Sequence, residues 1–176
     1  MLLVLLFQRQ LLVLLQQLHL VDLVLLNLHH ADNVAHASSD FTKYADAVRA
    51  QDALIADFWT FLQASEYYRD QTVMVVVADH GRHNTDTTGS FQEHGDACSG
   101  CRQVPMFWIG PGIRAGATTD TPHDLRDIAP TLGLLLGFSM PFAEGIPITE
   151  ALEKPENAFR SGLSDFFGGT GPELRY

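Results

Sequence analysis

The 176-residue sequence predicts an α/β fold, a mostly parallel sheet flanked by helices, and three observations carry it. Short apolar runs alternate with longer stretches of helical periodicity, as in βαβ units. Two of these runs, Leu20–Leu28 (LVDLVLLNL) and Thr72–Ala78 (TVMVVVA), are nearly continuous, as expected of strands buried on both faces. A hydrophobic fraction of 46% against 18% charged residues is enough to build a core.

Taken in order, Leu20–Leu28 is the first expected strand, followed by a polar stretch from His29 to Asp40 read as a loop. Phe41, Tyr44, Val48, Ile55, Phe58 and Leu62 recur at helical spacing, with Ser39 or Asp40 placed to cap. Phe58, Trp59 and Phe61 on this helix are read as packing residues. Thr72–Ala78, rich in β-branched residues, is the clearest strand. Residues 79–103 form a glycine-containing polar loop, long enough to suggest function. Val104–Ile109 is the third strand, stopped by Gly110-Pro111-Gly112. Asp127 is expected to cap a helix that holds Pro130 in its first turn and ends at Gly137. Three regions result: a Leu/Gln-rich leader at 1–19, a domain at 20–150 and a polar tail at 151–176.

The balance of 11 basic against 21 acidic residues gives a net charge of −10. A nucleic-acid groove or an anionic membrane surface needs a basic face, so neither is expected as a partner. The apolar runs near the start are broken by Gln8-Arg9-Gln10 and Gln16-Gln17, well short of a membrane span of about 20 residues. No basic residue precedes the first apolar run, so a signal peptide reads poorly and the compartment is left open.

Chemistry concentrates after two of the expected strands. Asp32 and His36 follow the first, Asp79 and His80 follow the second, and His94 lies further along the glycine-containing loop. Imidazole nitrogen together with carboxylate oxygen suits zinc or a similar divalent ion better than magnesium or calcium. One Asp-His pair after a strand is commonly a plain loop feature. Two pairs at strand ends with a third histidine make a metal site a serious reading.

The segments VVVADHGRHNTDTTGSFQEHGD, NLHHADNVAH and HDLRDIAPTLGLLLG with PFAEGIPI resemble motifs of the alkaline phosphatase superfamily, in that family's order. The resemblance covers roughly residues 20–150 and implies an alkaline phosphatase-like domain. It implies that Asp32, His36 and His94 ligate one metal, that Asp79 and His80 ligate a second, and that the ions are zinc or manganese. Two such ions suit hydrolysis of a small anionic phosphate ester, or a sulfate ester. A phosphosugar mutase of the same superfamily and a non-catalytic metal-binding remnant are the alternatives. Family members carry a Ser or Thr nucleophile and an acidic ligand ahead of these motifs, whereas here the first hydroxyl residue is Ser38. The chain is therefore expected to be the carboxyl-terminal portion of such a domain, incomplete at its amino-terminal side, with turnover near the blank rate.

Other polar residues have plainer readings beside functional ones. His83 and Asp86 are candidates for positioning substrate or for solvated loop positions. His29 and His30 adjoin Asp32, Glu93 and Asp96 flank His94, and His123 sits at a helix start where a structural role is common. Cys98-x-x-Cys101 lacks two further ligands at the usual spacing, so it reads as loop cysteines or a short disulfide.

Overall fold

A computed structural model describes residues 23–84 and 91–153. Four helices and two strands follow one another along them. They are α1 (His30–Ala37), α2 (Phe41–Ala64), β1 (Met74–Val77), α3 (Ser99–Arg102), β2 (Met106–Ile109) and α4 (Ile128–Leu136). The leader at 1–19 and the tail beyond 153 lie outside the described residues.

Helix α2 forms where the apolar periodicity places it. The Asp40 carboxylate accepts the Thr42 amide at 2.9 Å, closing its first turn. Ala47 and Leu62 are its buried residues. Phe58 and Phe61 stack on one another along it, 6.4 Å between ring centres.

Helix α1 replaces the loop expected over His29–Asp40. Its N-cap, His29, offers no side-chain bond. Instead Gln51, reaching across from α2, accepts the Ala31 amide at 3.2 Å and donates to the Leu28 carbonyl. Fully buried Ala35 lets the two helices approach closely. The helix puts Asp32 and His36, four residues apart, on one face.

The sheet departs from expectation. Among the described residues it has two strands, paired antiparallel with Met74 opposite Ile109 and Val77 opposite Met106. The connection between them leaves and re-enters at the same end of the sheet, which dictates that direction. A mostly parallel sheet is not what these residues form. Nor do Leu23–Leu28 form a strand: they run irregularly, and Leu25 is 94% exposed. Apolar composition supplies a strand's side chains but not the neighbouring ladder that defines one.

Helix α4 starts differently from the sequence reading. Asp127 makes no side-chain cap of its own there. A 3-10 turn, Leu125–Asp127, precedes it, and Asp124 caps that turn in a reciprocal capping box with Asp127. At the far end Gly137 takes the left-handed conformation, φ 82° and ψ 29°, that glycine adopts without strain.

The best-buried region lies behind α4. The Thr131 hydroxyl donates to the Asp127 carbonyl at 2.6 Å and accepts the Ile148 amide at 2.9 Å. Ile113 pairs with Leu152 across a single antiparallel bridge, and both side chains are buried with Ile148. His123 joins the two ends of this region, Nδ1 at 2.8 Å from Asp127 and Nε2 at 2.6 Å from Glu150. This is the structural role, away from the metal-ligand candidates.

The Glu150 carboxylate, and after it Asp127, holds the His123 imidazole above its ordinary value against the opposing effect of burial. The same bond holds Glu150 down at about 2. The imidazole's contribution to stability is complete below about pH 6.5, its unfolded value, and is lost as pH rises through the raised folded value. The carboxylate's contribution is complete above about pH 4.3 and is lost as pH falls through the lowered one. In urea titrations the stability gap between the wild type and His123→Ala is therefore expected to be widest between those limits. It should narrow steadily on the alkaline side; a gap constant from mildly acid to alkaline pH would contradict the pairing.

Candidate metal centre

Three segments converge beyond the end of β1. Helix α1 presents Asp32 and His36, the turn after β1 presents His80, and the loop ahead of α3 presents His94. The Nε2 atoms of His36 and His94 stand 3.0 Å apart. Asp32 Oδ1 lies 3.4 Å from His36 Nε2 and 3.6 Å from His94 Nε2. Donors bound to one tetrahedral zinc at ~2.0–2.1 Å lie about 3.3 Å from each other. The observed triangle thus has the dimensions of a zinc ligand set, with room for a further donor. Two imidazoles and a carboxylate also have the donor chemistry that zinc prefers.

His80 stacks on His94 at 3.6 Å with the rings 15° from parallel. Its Nε2 lies 3.7 Å from Asp32 Oδ1, and its Nδ1 is bonded to the Gly81 carbonyl at 2.9 Å. Asp79 stands at the rim: its side chain is 90% exposed, and Oδ1 accepts the His80 amide at 3.1 Å. Gly81 owes its place to the close approach of the neighbouring backbone. Its φ is not positive, and a Cβ there would come within 1.9 Å of the Gly100 carbonyl. Burial, and next the neighbouring His80, hold the His94 imidazole below its ordinary value, although Asp32 pulls the other way. The lowered value favours the neutral ring that binds a metal.

Arg82 is the residue that motif reading overlooked. Its guanidinium bonds the Asp32 carboxylate and sits 5.3 Å from the Tyr44 ring centre. It also donates to the carbonyls of Phe91 and Gln92 at 3.2 and 3.1 Å. One side chain therefore ties α1, α2 and the His94 loop together. Phe91 packs edge-on against Phe41, 5.3 Å between centres, and lies 5.7 Å from Tyr44. That aromatic contact seats the loop three residues ahead of His94. The available signal was position, since Arg82 follows the Asp-His-Gly run directly.

His83 turns elsewhere. Its Nε2 lies 3.0 Å from Asp96 Oδ2, in a second group that includes Cys98 and Cys101. Both cysteines are free, so the disulfide reading does not hold. Asp96 accepts from the Cys98 thiol and amide, which hold its carboxyl down at about 2. His29 and His30, the N-cap and first residue of α1, are exposed, and Glu93 is exposed with its carbonyl accepting the His83 amide at 3.3 Å. Asp86 lies outside the described residues.

A family model for the Metalloenzyme superfamily matches residues 8–140. The chain belongs to that family. The Metalloenzyme superfamily is part of the alkaline phosphatase-like group, as the Asp-His motifs imply. Its members are metal-dependent and of phosphoesterase or mutase-like type, which fits the imidazole–carboxylate clusters seen here. No curated protein and no solved structure matches the chain. Among the described residues no helix is long and apolar enough to cross a membrane.

Proposed function

We propose that the chain carries the metal centre of a metal-dependent hydrolase domain for small phosphate esters, with Asp32, His36 and His94 holding a zinc ion. The observation that carries this is the donor triangle of 3.0, 3.4 and 3.6 Å, with the family match beside it. His80 and, from the rim, Asp79 are proposed to hold a second ion nearby.

Each residue then has a task. A divalent ion held there supplies positive charge for the anionic oxygens of an ester. Asp32 brings the negative charge that makes the pocket a cation site, and Arg82 fixes the orientation of that carboxylate. His36 is set by its helix four residues from Asp32, so both donors move as one body. The stack with His80 keeps the His94 ring from turning away, a constraint of the kind that sustains metal affinity. Exposure of the cluster on one side leaves access for a small anion.

Zinc and inorganic phosphate test this by titration calorimetry. The zinc-loaded chain is expected to bind phosphate, and the chelator-treated chain to bind none. His36→Ala should lose one zinc equivalent and the phosphate with it. Phosphate binding that ignores chelation, or zinc uptake unchanged by His36→Ala, would overturn the assignment.

A further inference from the structure

We propose a second, structural zinc site made by His83, Asp96, Cys98 and Cys101, separate from the Asp32 centre. One donor atom from each of these four residues falls within 4.8 Å of all the others. Two sulfurs, one imidazole nitrogen and one carboxylate oxygen form a set that favours zinc over magnesium, calcium or manganese. Four protein donors close a tetrahedral site, which is the structural rather than the catalytic arrangement.

An independent observation points to the same place. The His83 side chain is only 9% exposed. Both of its ring nitrogens are buried without a hydrogen-bond partner, and Nε2 meets Asp96 Oδ2 at 3.0 Å in a geometry that makes no hydrogen bond. A buried imidazole left in that state costs free energy, and a metal ion on Nε2 removes the cost. The cysteines are already arranged for the role. The turn of α3 sets them three residues apart, and Cys98 Sγ accepts the Cys101 amide at 3.3 Å. The Cys98 amide in turn donates to Asp96 Oδ1 at 2.9 Å, fixing the carboxylate beside the sulfurs.

The site would act as a staple. Its ligands come from the two segments that also carry His80 and His94. The Gly81 amide already donates to the Cys101 carbonyl at 2.9 Å, so the segments touch at their backbones. A zinc ion on His83, Asp96 and the two sulfurs would hold them in register and set the spacing of the centre beside them.

Cobalt(II) titration of the reduced full chain tests the inference, because thiolate ligands give a near-ultraviolet charge-transfer band that imidazole and carboxylate do not. The wild type is expected to develop this band with one equivalent of cobalt, along with the visible bands of a tetrahedral ion. Zinc should bleach both. A His36→Ala/His94→Ala variant should keep the thiolate band, whereas Cys98→Ser/Cys101→Ser should lose it. His83→Ala should weaken cobalt binding by about tenfold or more. On unmutated protein, both thiols should react slowly with a disulfide reagent when zinc is bound and quickly once it is chelated. No thiolate band in the reduced wild type, a band that survives removal of both sulfurs, or thiol reactivity indifferent to zinc would overturn the proposal.

Discussion

His94→Ala is expected to weaken zinc binding at the Asp32 centre by at least about 100-fold, while the urea midpoint of the metal-free protein moves little. Loss of a mere partner of a ligand commonly costs 10–100-fold in metal affinity, so loss of a donor should cost no less. Folding should tolerate the change because His94 is half-buried and held through its neighbours, Phe91 by aromatic packing and Gln92 by Arg82. Arg82→Ala gives the complementary result. It removes no donor, yet it frees Asp32, α1 and the His94 loop from one another, so affinity should fall and stability should fall with it. Titration calorimetry beside denaturation separates the two variants. Equal zinc affinity in the wild type and His94→Ala would show that the imidazole is not a ligand.

Asp127→Ala should be the most destabilising single change away from the metal centre, about 3 kcal/mol or more. The carboxylate is buried and accepts from His123 Nδ1 at 2.8 Å, the Ile146 amide at 2.9 Å and the Asp124 amide at 3.2 Å. Its removal strands two amides and a histidine in one step, and each buried orphan is costly. In a chain of this size the loss corresponds to roughly 6–12 °C in Tm. Asp127→Asn should recover part of it, because an amide oxygen can still accept one of these bonds. A loss below about 1 kcal/mol for the alanine variant would mean that water replaces the carboxylate readily.

Local signals were legible wherever one segment decides its own structure. Helix α2 starts after Asp40 because the cap and the apolar spacing agree, and α4 ends at Gly137 because a left-handed residue is needed there. The strands β1 and β2 fall within two of the three apolar runs read as strands, Thr72–Ala78 and Val104–Ile109. Strand direction was not legible, since it depends on where a long connection returns and not on the residues of either strand. The polar run His30–Ala37 hid a helix because its stabilising partners, Gln51 and the α2 surface, are distant in sequence. The four-residue step from Asp32 to His36 was the local hint.

The metal-ligand candidates were legible through their motifs, and the structure brings Asp32, His36, His80 and His94 into one cluster with Asp79 at its edge. The grouping of His83 and Asp96 with the cysteines was not. A Cys-x-x-Cys pair announces two sulfurs, but its completing donors come from separate turns, and no spacing rule joins them. Arg82 escaped for a similar reason: its importance lies in four contacts to three segments.

Crystals of the full chain soaked in zinc, with anomalous scattering recorded at the zinc edge, would locate an ion at the Asp32 centre. A peak is expected enclosed by Asp32 Oδ1, His36 Nε2 and His94 Nε2, each about 2.0–2.2 Å from the ion. Data free of a peak at that position, with the three side chains ordered and turned away from one another, would contradict it.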